Sequence, residues 1–193
     1  NFSMKLVTLQ RSGLGNIMHL QADNYRNFNT REEHNKYCNN ENLTAAYDRI
    51  AKLLHYEEFP IFCLQEGCKG DAYGVNVTEN SCLIGLDVPD HMVMRHKYYS
   101  WTDYIYFLEE SNRENDDDYN YLLSLENKII TNTDIIEPDD PVQCMIPYIK
   151  CEWVKWVSYS KEVIKDYLEN YDGNTNLVKD FQVAYNIPEF KFY

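Results

Sequence analysis

With 193 residues the chain is long enough for one sizeable core and too short for two ordinary domains to be the first expectation. An apolar fraction of 44% and an aromatic fraction of 15%, carried mainly by 17 tyrosines, exclude the disordered class, which is poor in both. Eighteen basic against 31 acidic residues leave a net charge of −13, which argues against binding nucleic acid by counterion release.

The same charge suits a basic protein partner, including mimicry of a nucleic acid's field, or simply solubility. No apolar run reaches membrane-spanning length, and no basic segment followed by an apolar one opens the chain, so the expected location is cytoplasmic. Met4 reads as a natural start, which makes residues 1–3 an expression remnant and 4–193 a single globular domain. Asn42-Leu43-Thr44 and Asn76-Val77-Thr78 fit the glycosylation pattern but are idle without secretion. Six cysteines do not make a disulfide scaffold at this length; Cys63, Cys82 and Cys144 lie in apolar segments and read as small buried hydrophobes.

In chain order, Lys5 to Gln10 alternates and predicts an opening strand. Residues 16–20 suggest a short helix inside a polar, Asn-rich stretch that continues to Asn40. Leu43, Ala46, Tyr47, Ile50, Leu53 and Leu54 then fall on one helical face, with Asn42 as the N-cap and Pro60 as the barrier to continuation. Ile61 to Gln65 is a short strand, and residues 67–74 an exposed loop. Cys82 to Leu86 and His91 to Arg95 are strands around a Pro89-Asp90 turn. Ser100 caps a helix whose buried stripe is Trp101, Tyr104, Ile105 and Leu108. The acidic run from Glu109 to Asp118 reads as a solvated loop ahead of a helix starting near Tyr119 and ending near Lys128. After a polar connector, Val142 to Met145 and Val154 to Tyr159 are late strands separated by Pro147 and a helical turn near Glu152. Ser160 caps a last helix carrying Val163, Ile164, Tyr167, Leu168 and Tyr171, stopped by Gly173. Short strands alternating irregularly with helices predict an α+β fold, a mixed and mostly antiparallel sheet flanked by helices.

Candidate chemistry is sparse. No Gly-rich phosphate loop and no Gly-x-Ser-x-Gly elbow occurs. Cys63-x4-Cys68 and His91-x4-His96 could be imagined as zinc ligands, but the two histidines bracket a strand and point to opposite faces, so exposed strand or turn positions suit them better. Glu152 is the acid to notice, since it stands between an apolar strand and the run Trp153-Val154-Lys155-Trp156-Val157, where a cleft could hold it; the plain alternative is an exposed rim charge. Trp101 could stack on a flat ligand or simply belong to the core.

The combination Lys5-Leu6-x-Thr8-x-Gln10, Leu83-Ile84 with Val88-Pro89-Asp90, Ser100-Trp101-x-x-Tyr104-Ile105, and Gln143 followed later by Glu152-Trp153-Val154 resembles a bacterial domain family of unknown function. More loosely, the order of elements resembles the ADP-ribosyltransferase-like folds. That second resemblance implies an NAD-binding cleft, active or degenerate, with NAD as substrate. Gln10, Tyr104 and Glu152 would then be catalytic, Tyr104 stacking on nicotinamide and Glu152 stabilising an oxocarbenium-like transition state. Thr8, Trp101 and Gln143 would contact the cofactor. The chain departs from that pattern in lacking an Arg or His inside the first strand, a Ser-Thr-Ser strand, and a Glu or Gln two residues before Glu152. The rival expectation is a non-enzymatic acidic inhibitor or interaction protein, of phage or mobile-element type, that binds a basic protein.

Overall fold

The computed structural model describes residues 2–13, 26–65, 76–131, 136–137 and 140–170. In chain order the elements are β1 (Ser3–Arg11), β2 (Arg26–Asn27), α1 (Arg31–Tyr37), α2 (Glu41–Leu53), β3 (Ile61–Gln65), β4 (Ser81–Pro89), a 3-10 turn (Asp90–Met92) and β5 (Met94–Lys97). There follow α3 (Tyr98–Glu110), α4 (Asp116–Ile130), β6 (Val142–Ile146), β7 (Ile149–Lys150), a second 3-10 turn (Cys151–Trp153), β8 (Val154–Ser158) and α5 (Lys161–Asn170). The fold is α+β, as the irregular alternation predicts. The helix expected at residues 16–20, the loop at 67–74, Tyr171, the Gly173 stop and the tail beyond it lie outside the described residues. The chain divides into two compact units.

The first unit, residues 1–27, 62–93 and 149–193, holds strands in the order β3–β1–β4–β8. β1 runs antiparallel to β4 along its whole length, from Ser3 opposite Pro89 to Arg11 opposite Ser81. β4 is an almost continuous run of buried residues, SCLIGLDVP, as expected of a strand covered on both faces. One face carries Val7 and Leu83, and α5 lays Val163, Ile164, Tyr167 and Leu168 over them. Burying side chains of this size stabilises by about 1.5–3 kcal/mol each, which is what holds this amphipathic helix in place. Ser160 caps α5 as read from the sequence, its Oγ accepting from the Val163 N–H. Between Gly85 and Leu86 the β4–β8 register slips by a bulge, and there the Trp156 indole lies directly on the Gly85 backbone. The Trp156 ring is 5.5 Å from that of Tyr167.

The second unit, residues 28–61 and 94–148, holds α1 to α4 and the antiparallel β5–β6 pair, with Met94 opposite Met145 and Lys97 opposite Val142. Its core includes Ala46, Ile50, Phe59, Trp101, Tyr104, Leu125, Ile129 and Met145. α2 begins two residues earlier than Asn42 suggests. Asn40 is extended and its Oδ1 accepts the Leu43 N–H at 3.0 Å, while Asn42 lies inside the first turn. Pro60 is not what ends α2. The Tyr56 N–H reaches back to the Ala51 carbonyl and the His55 N–H to that of Lys52, a Schellman closure with His55 left-handed at φ 58°. An L side chain in that conformation costs about 1–2 kcal/mol. His55→Gly is therefore expected to raise the urea midpoint of this unit, by about 1 kcal/mol in stability, whereas His55→Ala gives no gain.

Other boundaries move for identifiable reasons. Ser100 is not the cap of α3; the helix starts at Tyr98, whose N–H is taken by the Pro141 carbonyl at 2.9 Å, so a tertiary contact rather than a serine sets the start. α4 begins at Asp116, not near Tyr119. The Asn115 Oδ1 accepts from the Asp117 and Asp118 N–H groups, which places all three aspartates in the first turn, at the positive end of the helix dipole. His91 lies in the 3-10 turn rather than in a strand, and β5 starts three residues later.

Candidate functional site

In the first unit, Thr8 is buried; its hydroxyl donates to the Phe62 carbonyl at 2.7 Å and accepts from Gln10 Nε2 at 2.9 Å. Glu152 stands in the second 3-10 turn, exposed, with its carboxylate 2.6 Å from Lys150 Nζ. In the second unit, Trp101 is buried with its ring 5.7 Å from Tyr47 and 6.1 Å from Tyr104. Tyr104 is 1% exposed, so stacking on a nicotinamide would require its ring to leave the core. Gln143 is buried opposite His96, their Oε1 and Nε2 2.9 Å apart. His96 itself is fully buried, not the partly exposed residue that its flanks suggest. The residues thus come together as Thr8 with Gln10 and Trp101 with Tyr104, while Gln143 answers His96 and Glu152 answers Lys150. Among the described residues no group of three His, Cys, Asp or Glu side chains is placed to hold a metal ion; Cys68 lies outside them.

Three features dominate the second unit, of which only the acidic run Glu109–Asp118 stands out in the sequence. The first is a buried polar hub. Glu126, on α4, accepts from Arg49 Nε at 3.2 Å and Nη2 at 3.4 Å, and from the Tyr104 hydroxyl at 2.7 Å. It ties α2, α3 and α4 at one carboxylate. Burial, and next the hydrogen bond to Glu126, hold the Tyr104 phenol well above the ordinary tyrosine range, so it stays a donor. The signal was available: Glu126 falls on the apolar stripe of Leu122, Leu125 and Ile129, where an acid demands a partner.

The second feature is an open groove of about 830 Å³ lined by Arg31, Asn35, Asn40, Thr44, Asp48 and Lys52 among others. Both of its cations point at one acid. Lys52 Nζ is 2.9 Å from Asp48 and Arg31 pairs with the same carboxylate, so Lys52 and Arg31 hold Asp48 below the usual carboxylate range. The groove is locally balanced in charge and has no general acid and base set against each other.

The third is the outer surface of α3 and α4. Between Tyr98 and Ile130 the chain has eight acidic and two basic residues, a net charge of −6 within 33 residues. Asp103, Glu109, Glu110, Glu114, Asp116 and Asp117 are all exposed. Among them stand Tyr99, Tyr106, Tyr119 and Tyr121, each roughly half exposed or more. Tyr121 is braced edge-on against Phe107 of α3, ring centres 4.7 Å apart.

No family model, curated protein or solved structure matches the chain. Exposed tyrosines interleaved with carboxylates give a surface that can bind cations by ion pairing and through ring faces together. No helix of the described residues is long and apolar enough to cross a membrane.

Proposed function

We propose that this protein is a binding module that captures a basic protein through the acidic, tyrosine-rich surface of α3 and α4. The observation that carries the reading is the concentration of charge: six exposed carboxylates against the exposed Arg113 and Lys128 leave a net −4 on this one helical pair, beside four exposed tyrosines. Solubility alone asks for charge of either sign spread over the surface, not for carboxylates gathered beside exposed rings. Tyrosine is enriched at protein interfaces because its ring contributes contact area at low entropy cost while its hydroxyl stays satisfied in water. The NAD-dependent reading finds less to support it, because Tyr104 is committed to Glu126 in the core and Glu152 is paired with Lys150 at the surface.

A fluorescent oligolysine of about ten residues is the first test, titrated into the full chain at about 50 mM and then about 500 mM salt. Binding at low salt that weakens at least about ten-fold at high salt is the expected result. Absence of binding at low salt would contradict the reading.

A further inference from the structure

Along α3, Tyr99, Asp103, Tyr106 and Glu110 are spaced i, i+4, i+7 and i+11, and all four are exposed, the two rings to 54% and 66%. They form one longitudinal stripe in which ring and carboxylate alternate. Tyr99 with Asp103 makes one pair, Tyr106 with Glu110 a second, and seven residues of helix, about 10 Å, separate the two. From this stripe we infer that the partner's contact is an arginine-bearing helix whose arginines recur every seventh residue. The inference rests on the binding role proposed above and narrows it.

Arginine is favoured over lysine because each pair offers two different contacts one helical turn apart. A planar guanidinium can lie against the tyrosine face and still fork to the carboxylate; an ammonium is a point charge that satisfies one contact at a time. A helix is favoured over a strand by the spacing. About 10 Å along a strand is three residues, which puts successive side chains on opposite faces, whereas seven residues along a helix returns both to the same face. Other occupants fit poorly. A second copy would set two acidic stripes against each other, and an anionic membrane or nucleic acid meets the same repulsion. A convex helix face also lacks the concavity of a small-molecule site.

The test uses three helical peptides of about 22 residues with equal net charge: arginines at every seventh position, lysines at the same positions, and arginines at every fifth. Affinities for the full chain are read by anisotropy at about 50 mM salt. The heptad-arginine peptide is expected to bind about five-fold or more tighter than either of the others. Tyr99→Ala combined with Tyr106→Ala should erase that preference while leaving the affinity for the lysine peptide and the thermal melt unchanged. Equal binding of all three peptides overturns the arginine-helix inference and leaves the broader binding role standing. A preference that survives the double tyrosine variant also overturns it, as does a dimer in sedimentation that the double variant abolishes. If none of the three peptides binds, while the oligolysine does, the inference again fails alone; if the oligolysine fails as well, both readings fall.

Discussion

Gly85→Ala is expected to destabilise the first unit by about 2–3 kcal/mol, a large effect for the addition of one methyl group. A Cβ at residue 85 would fall inside the Trp156 indole, against Cε2 and Nε1 and 2.7 Å from Cδ1. The indole has no easy retreat, since it is 4% exposed and belongs to the cluster formed by Val7, Leu83, Val163, Ile164, Tyr167 and Leu168. Either Trp156 leaves that cluster or β4 and β8 move apart at the bulge. The cause is close approach, not backbone freedom, so the penalty should depend on the ring. In a Trp156→Leu background the added methyl finds space, and the further loss from Gly85→Ala should shrink to about 1 kcal/mol or less. Urea unfolding of the four proteins of this cycle measures the coupling. Additive losses would show that the indole is not what excludes a side chain from residue 85.

Glu126→Ala is expected to cost the second unit about 2–3 kcal/mol. The loss falls mainly on the Tyr104 hydroxyl, which would be left in the core without its acceptor. Arg49 suffers less, because its side chain is 48% exposed and water replaces the lost carboxylate. Glu126→Gln keeps an oxygen for the phenol and should recover more than half of the loss. Tyr104→Phe, which removes the donor and leaves Glu126 with Arg49, should cost about 1–2 kcal/mol. A Glu126→Ala protein within about 0.5 kcal/mol of the parent would mean that the hub is a surface ion pair of little weight.

Much of the fold was legible because periodicity reports burial directly. The β3 strand at Ile61–Gln65, the turn at Cys151–Trp153 and the Ser160 cap appear where the sequence places them. The boundaries that moved did so where a distant group satisfies the backbone. The start of α3 depends on the Pro141 carbonyl, and no local reading of Ser100 contains that information. The end of α2 depends on a histidine in a conformation that usually signals glycine.

The polar residues were harder to read, and the reason is physical. Thr8, Gln10, Tyr104 and Gln143 have the chemistry of a site, but a buried polar group must also find a partner in any core. A sequence displays the group without the partner. Thr8 answers Phe62 and Gln10, Tyr104 answers Glu126, and Gln143 answers His96. Two signals could have redirected the reading. One is the acid on the apolar stripe of α4. The other is the tyrosine–acid alternation on α3, which a search for buried positions passes over because it lies on the opposite side of the helix.

We propose that the α3–α4 surface, rather than net charge as a whole, captures a basic partner, and two variants of equal net charge separate these alternatives. One neutralises Asp103, Glu109, Glu110 and Glu114 as Asn or Gln; the other neutralises Glu32, Glu57, Glu79 and Glu169 as Gln, all eight positions being exposed. Both are titrated with the oligolysine at about 50 mM salt. Loss of about ten-fold or more in affinity for the first variant, with the second within about two-fold of the parent, is the predicted result. Equal losses in the two variants would contradict it.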